Sequence, residues 1–149
     1  MSLMDEEITA ENVVGFICRV PGFKSLLHKE IESLILPMLG VVKFVPGQMI
    51  IKQGAVADAV FFLYKGQAKV NIHFENSEDV NFFIEEGEIF GEMALVSHEK
   101  RSATISAVSD VICFSIDVET FQNIMINNWR ITQAVAMLIG NRRIERLTS

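Results

Sequence analysis

Cysteine is almost absent from these 149 residues: Cys18 and Cys113 stand far apart and share no ligand spacing. An iron–sulfur or structural zinc site cannot be built on such a pair, and no metal is expected. Cys113 lies in the apolar run Val111-Ile112-Cys113-Phe114, where a buried, inert thiol is expected. Long apolar runs are missing too. Half the residues are hydrophobic, yet no stretch approaches the about eighteen needed to cross a bilayer, so no membrane partner is expected. The N-terminus has no basic stretch followed by an apolar segment, so no secretory signal is read and a cytoplasmic location is expected. Positive charge is scarce, with 13 Lys and Arg against 19 Asp and Glu and a net charge of −6. Binding to a phosphate backbone needs a basic face, so direct contact with nucleic acid is not expected. The one basic cluster, Arg142, Arg143 and Arg146, reads as the solvated end of a helix. Histidine is rare as well: His28, His73 and His98 fall into no nucleophile–base arrangement, and the chain is not read as an enzyme. Repeats, low-complexity stretches and linkers are lacking. One domain over 9–149 is expected, after a disordered or tag-derived segment at 1–8.

What is present falls into three zones. Residues 9–36 carry helical apolar spacing, in Val13, Val14, Phe16 and Ile17 and again in Leu26, Leu27, Ile31, Leu34 and Ile35. Pro21-Gly22 divides this zone into two short helices, and Pro37 with Gly40 closes it. From about 40 to 116 the pattern is of strands, as in Ala68-Lys69-Val70-Asn71-Ile72 and Val80-Asn81-Phe82-Phe83-Ile84, with turns at Gly47, Gly54, Gly66, residues 75–77 and Gly87. Many short strands punctuated by glycine indicate a closed roll or jelly roll rather than an open sheet. Helical spacing returns over 117–147. Asp117 is placed as an N-cap, Phe121, Ile124 and Met125 as one apolar face, and Ile131, Val135, Leu138 and Ile139 as that of a last helix beginning near Asn128.

The segment with the most chemistry is Phe90-Gly91-Glu92-Met93-Ala94-Leu95-Val96, followed by Arg101-Ser102-Ala103-Thr104-Ile105. Gly91 opens a run of good helix formers and lets the backbone turn sharply while a ligand approaches it. The first turn of such a helix leaves N–H groups that attract phosphate oxygens. Arg101 carries a planar fork that grips phosphate with two parallel hydrogen bonds. Ionised Glu92 only accepts hydrogen bonds, which suits a sugar hydroxyl. Alone, Arg101 would be an ordinary surface arginine and Glu92 an acid at a helix start. Their spacing across the polar loop Ser97-His98-Glu99-Lys100, with a strand restarting near Ser102, suggests a sugar phosphate.

This segment resembles the phosphate-binding cassette of the cyclic nucleotide-binding domain family, F-G-E-x-A-L followed by R-[STA]-A-[ST]-[VI]. The resemblance extends to Pro21-Gly22-Phe23-Lys24-Ser25-Leu26, to Gly47-Gln48-Met49-Ile50-Ile51-Lys52-Gln53-Gly54, and to the strand–turn–strand of Phe61 to Val70, so it covers roughly 20–147. It implies a mainly β fold with flanking helices: a double-stranded β-helix, or jelly-roll-like β-roll, with N-terminal helices and two C-terminal helices, the last a lid or dimerisation helix. It further implies a cyclic nucleotide as ligand. Arg101 would hold the cyclic phosphate and Glu92 the ribose 2′-hydroxyl, with the backbone from Gly91 through Met93 to Ala94 and the Ser102 hydroxyl completing the cradle, between Phe90 and Ala103. Arg143 and Arg146 would reach the base from the lid. Among relatives a threonine in the Ser102 position goes with guanine and an alanine with adenine. Serine there occurs in the catabolite-activator branch, which prefers cyclic AMP, so cyclic AMP is expected ahead of cyclic GMP. Ala55 replaces a commonly polar residue and is expected to matter little. The function implied is a regulatory module that moves its C-terminal helix on binding, either as a homodimer through that helix or on a downstream effector. The alternative is an assembly domain that keeps the roll without using a nucleotide.

Overall fold

The computed structural model describes residues 8–148, with side chains through residue 140. The expected terminal segment 1–8 thus lies, except for Ile8, outside the described residues. Two compact units are present: the roll Gly40–Glu119, and a helical unit made of the chain on either side of it.

The roll contains eight antiparallel strands in two four-stranded sheets, the many short strands of a roll that its alternating pattern and glycine turns predict. They are β1 Gly40–Phe44, β2 Met49–Ile51, β3 Ala59–Lys65, β4 Ala68–Ile72, β5 Val80–Ile84, β6 Ile89–Phe90, β7 Thr104–Ala107 and β8 Val111–Asp117. The sheet orders are β1-β8-β3-β6 and β2-β7-β4-β5. Apart from the adjacent pair β4 and β5, sequence neighbours are thereby sent to opposite sheets, the jelly-roll arrangement that shortens and protects strand edges. Between the sheets lie Ile51, Phe61, Leu63, Val70, Ile84, Phe90, Ile105 and Cys113. Phe61 and Phe90 stack with ring centroids 5.2 Å apart, a contact adding about 0.5–1.5 kcal/mol beyond area burial. Cys113 is fully buried, and burial pushes its thiol up to about 12. It is a small core hydrophobe, not a nucleophile.

In the helical unit, Thr9 caps α1 (Ala10–Cys18) by accepting from the Asn12 N–H at 3.2 Å, and Val13, Val14, Phe16 and Ile17 are buried. The second helical stretch is short and irregular: α2 (His28–Glu30) runs into a π turn, Ile31–Ile35, and a 3-10 turn, Leu36–Met38. Pro37 therefore lies inside the last turn rather than beyond it, at a first-turn position where its missing N–H is not needed. After the roll come α3 (Val118–Asn127) and α4 (Trp129–Thr148). Asn128 starts α4, its Oδ1 accepting from the N–H groups of Arg130 at 3.1 Å and Ile131 at 3.3 Å. The 3.6-residue period puts Ile131, Ala134, Val135 and Leu138 in the core. Gly22 turns the chain with φ +89° so close to α4 that a Cβ there would lie 2.6 Å from the Ala134 carbonyl oxygen. Only glycine fits that approach. Arg130 ties the start of α4 to the N-terminal segment: Nε donates to Glu30 Oε1 at 3.0 Å and Nη2 to the Ser25 carbonyl at 2.6 Å.

Candidate functional site

The cassette begins where β6 ends. Phe90, only 1% exposed, anchors the strand in the core against Phe61. What it gives the site is the position of the next residue, not a side chain facing a ligand. Gly91 then adopts φ +78° and starts a 3-10 helix, Glu92–Leu95. The N–H of Ala94 returns to the Gly91 carbonyl at 3.4 Å, while Ala94 and Leu95 bury their side chains. The loop beyond is polar and exposed, with Ser97 Oγ accepting from the Glu99 N–H at 3.1 Å and His98 in solvent. The following strand begins at Thr104, two residues later than the sequence suggests, so Ser102 and Ala103 belong to the approach to β7. Ser102 is exposed and Ala103 packs against the core of the roll.

Arg101 is not a surface arginine. Its side chain is 8% exposed. Nη1 donates to the Gly91 carbonyl at 3.2 Å and Nη2 to the Ala59 carbonyl at 2.6 Å. Among the described residues its nearest carboxylate oxygen, Asp58 Oδ1, is 3.9 Å from Nη2 and belongs to a side chain 82% exposed. Burial pulls the guanidinium below its ordinary value, opposed by the charges of Asp58 and Glu92. A guanidinium nevertheless stays a cation in proteins. Glu92, 3% exposed, is the roll's buried acid. The structure therefore brings together a buried cation, a buried carboxyl and a left-handed glycine, with two of the five guanidinium N–H groups committed to main-chain carbonyls. Gly91 is required there: a Cβ would lie 2.9 Å from Arg101 Nη1 and 3.1 Å from the Ala59 oxygen.

The sequence reading missed the residues that hold Arg101. Besides the Ala59 carbonyl and Asp58, the Arg101 main chain is strapped to the β2–β3 connection, its N–H donating to the Ala55 carbonyl at 2.9 Å and its carbonyl accepting from Gly54 at 2.8 Å. Ala55 thus contributes through its backbone. Asp58 could have been picked out as the only charge between Gln53 and Ala59, but carbonyl contacts leave no trace in residue type. The side chains of Arg143 and Arg146 lie outside the described residues. Among the described residues, no group of three His, Cys, Asp or Glu is placed to hold a metal ion.

A buried arginine beside a buried glutamate, on a left-handed glycine in a β-roll, offers a cation to an anion and an acceptor to a hydroxyl. Residues 41–128 match the family model of the cyclic nucleotide-binding domain, and the chain belongs to that family. It is 35% identical over 112 residues to a cGMP-dependent protein kinase of Toxoplasma gondii, a match covering 75% of this chain and 11% of the kinase. This chain therefore spans about a tenth of the length of that curated relative. Among solved structures, the regulatory domain of Toxoplasma gondii PKA in co-crystal with cAMP aligns with TM-score 0.77 and 20% identity, over 91% of this chain and 50% of that one. The catabolite activator protein of Thermus thermophilus aligns with TM-score 0.76 and 24% identity, over 85% of this chain and 59% of the other. At these identities the likeness is one of fold.

Proposed function

We propose that the chain is the ligand-binding module of a larger regulatory protein. It takes a 3′,5′-cyclic nucleotide with the phosphate on Arg101 and the ribose 2′-hydroxyl on Glu92. The observation that carries this reading is the state of Arg101: buried, fixed in place by two carbonyls, and without a carboxylate at hydrogen-bond distance among the described residues. A cation so arranged gains most from an incoming anion, because in a low-dielectric pocket a charge-assisted pair is strong and an unneutralised charge is costly. Glu92 gives selectivity for a ligand with a hydroxyl beside its phosphate. The backbone at Gly91, Met93 and Ala94 and the exposed Ser102 hydroxyl complete the contacts.

Cyclic AMP is the first ligand to test, on the ground of serine at position 102. The cGMP-dependent kinases among the relatives favour cyclic GMP as the second reading. Binding acts by shifting the C-terminal helix, where Arg143 and Arg146 reach the base, and the shift works on an effector beyond this chain. Such a shift requires that the nucleotide bind one helix position more tightly than another. A homodimer through α4 is supported by its exposed side chains: Trp129 is 71% and Met137 52% exposed. In this reading residues 9–149 form one cytoplasmic domain that binds and does not catalyse. Calorimetric titration of the nucleotide-stripped protein with each cyclic nucleotide is the test. Micromolar or tighter binding of one establishes the receptor and its base; no heat and no thermal shift with either leaves the assembly role.

A further inference from the structure

The cassette is supported from outside itself. Gln53, in the turn after β2, reaches across to His73, the residue that follows β4. Its Oε1 accepts from the His73 N–H at 3.0 Å and its Nε2 donates to the His73 carbonyl at 3.0 Å. A carboxamide presents the donor and acceptor of a peptide group, so this side chain adds one rung to the ladder beyond Ile72, where β4 stops. The main chain of Gln53 is fixed as well, its N–H donating to Thr104 Oγ1 at 3.0 Å, 51 residues away. The two residues that follow, Gly54 and Ala55, make the paired hydrogen bonds to Arg101.

We infer that Gln53 is a positioning residue for the anion site: its amide pins the turn that holds Arg101, and so sets where the guanidinium points. The inference rests on the cyclic nucleotide reading above. The hydrogen bonds of Gln53 itself go to His73 and Thr104 and not to the guanidinium. Its influence runs through three consecutive links: His73 to Gln53, Gln53 to the Gly54–Ala55 turn, and the turn to Arg101. Leucine is the apt replacement, since it fills similar space and can make neither bond to His73. Glutamate keeps the acceptor for the His73 N–H and loses the donor to the carbonyl.

The test is a double-mutant cycle read by calorimetry with whichever cyclic nucleotide the parent binds. Gln53→Leu is expected to weaken binding roughly tenfold with the melting temperature little changed, and Gln53→Glu to fall between. In an Arg101→Lys background, where the fork is already gone, Gln53→Leu is expected to add nothing. Equal affinity of parent and Gln53→Leu would overturn the inference, as would a full tenfold loss on top of Arg101→Lys. A second readout does not depend on the ligand. In the ligand-free protein, nitrogen NMR of Arg101 should show slow rotation of the guanidinium in the parent and faster rotation in Gln53→Leu. The same rotation in both would overturn the positioning role even if neither nucleotide binds, whereas the expected difference would uphold it with the nucleotide reading lost. Should Gln53→Leu not fold, Gln53→Glu carries both comparisons.

Discussion

Two arginines, one in each unit of the molecule, are held in opposite ways. Arg101 in the roll is 8% exposed and donates its side-chain hydrogen bonds to main-chain carbonyls, with the nearest carboxylate oxygen among the described residues 3.9 Å away on an exposed side chain. Arg130 in the helical unit is 39% exposed and forms a direct 3.0 Å ion pair with Glu30, besides its bond to the Ser25 carbonyl. A carbonyl dipole orients a guanidinium without cancelling its charge, whereas a carboxylate in contact cancels it. The first is therefore poised for an anion from outside, and the second is a structural tie that is already complete. Arginine content alone could not have told them apart; the partners do.

Removing each cation should separate the two roles, and the larger effect belongs to the roll. Arg101→Ala is expected to weaken cyclic nucleotide binding by roughly 2–5 kcal/mol, as when one partner of a buried charge pair is lost, read by calorimetry. Equal affinity of the variant and parent would remove Arg101 from the phosphate site. Glu92→Ala should cost less, about 1.5–3 kcal/mol for a hydrogen bond involving a charged group. Its loss should be smaller for a 2′-deoxy cyclic nucleotide than for the ribo form, and a uniform loss on both would deny the 2′-hydroxyl contact. Gly91→Ala comes next. A side chain at φ +78° is strained by about 1–2 kcal/mol, and its Cβ presses on the guanidinium. Chemical denaturation should show that cost, and the variant should lose affinity as well as stability; stability lost with affinity intact would mean the guanidinium has room to move.

The contrast also shows what the sequence could and could not reveal. The strand zone and its turns were legible because alternation and the glycines Gly47, Gly54, Gly66 and Gly87 are written in residue type, and each of those glycines takes a positive φ; the number of strands and their division into two sheets were not. Gly91, Glu92 and Arg101 were legible by spacing. The supports of Arg101 were not, because the Ala59 and Ala55 carbonyls have no residue-type signature, and nothing local marks Gln53 as the partner of His73, 20 positions away. The irregular helix through Ile31–Ile35 and Leu36–Met38 was likewise hidden: apolar spacing fixes which residues point inward but does not separate π, α and 3-10 turns over so few positions. The Arg130–Glu30 tie spans 100 positions and two unremarkable surface-type residues.

That tie gives the smallest and most specific test of the comparison. The Leu27 N–H, bound at 2.9 Å, and then the Arg130 guanidinium hold the Glu30 carboxyl below its ordinary value, outweighing the opposing effect of burial. A carboxyl lowered in the folded protein contributes its stability in full above its unfolded value, about 4.3 for glutamate, and loses it as pH falls through the lower folded value. Glu30→Gln should therefore be less stable than the parent near neutrality, by about 1 kcal/mol or less for a partly exposed pair, and the gap should close on acidification below about pH 4. Melting temperatures of the two proteins across pH 3–7 measure it. The Arg101→Ala variant should leave this acid limb unchanged, because the nearest carboxylate oxygen among the described residues, on Asp58, lies 3.9 Å from Arg101 on a side chain 82% exposed. If Arg101→Ala flattened the limb as Glu30→Gln does, Arg101 would be neutralised after all, and the distinction between an open cation and a completed tie would fail.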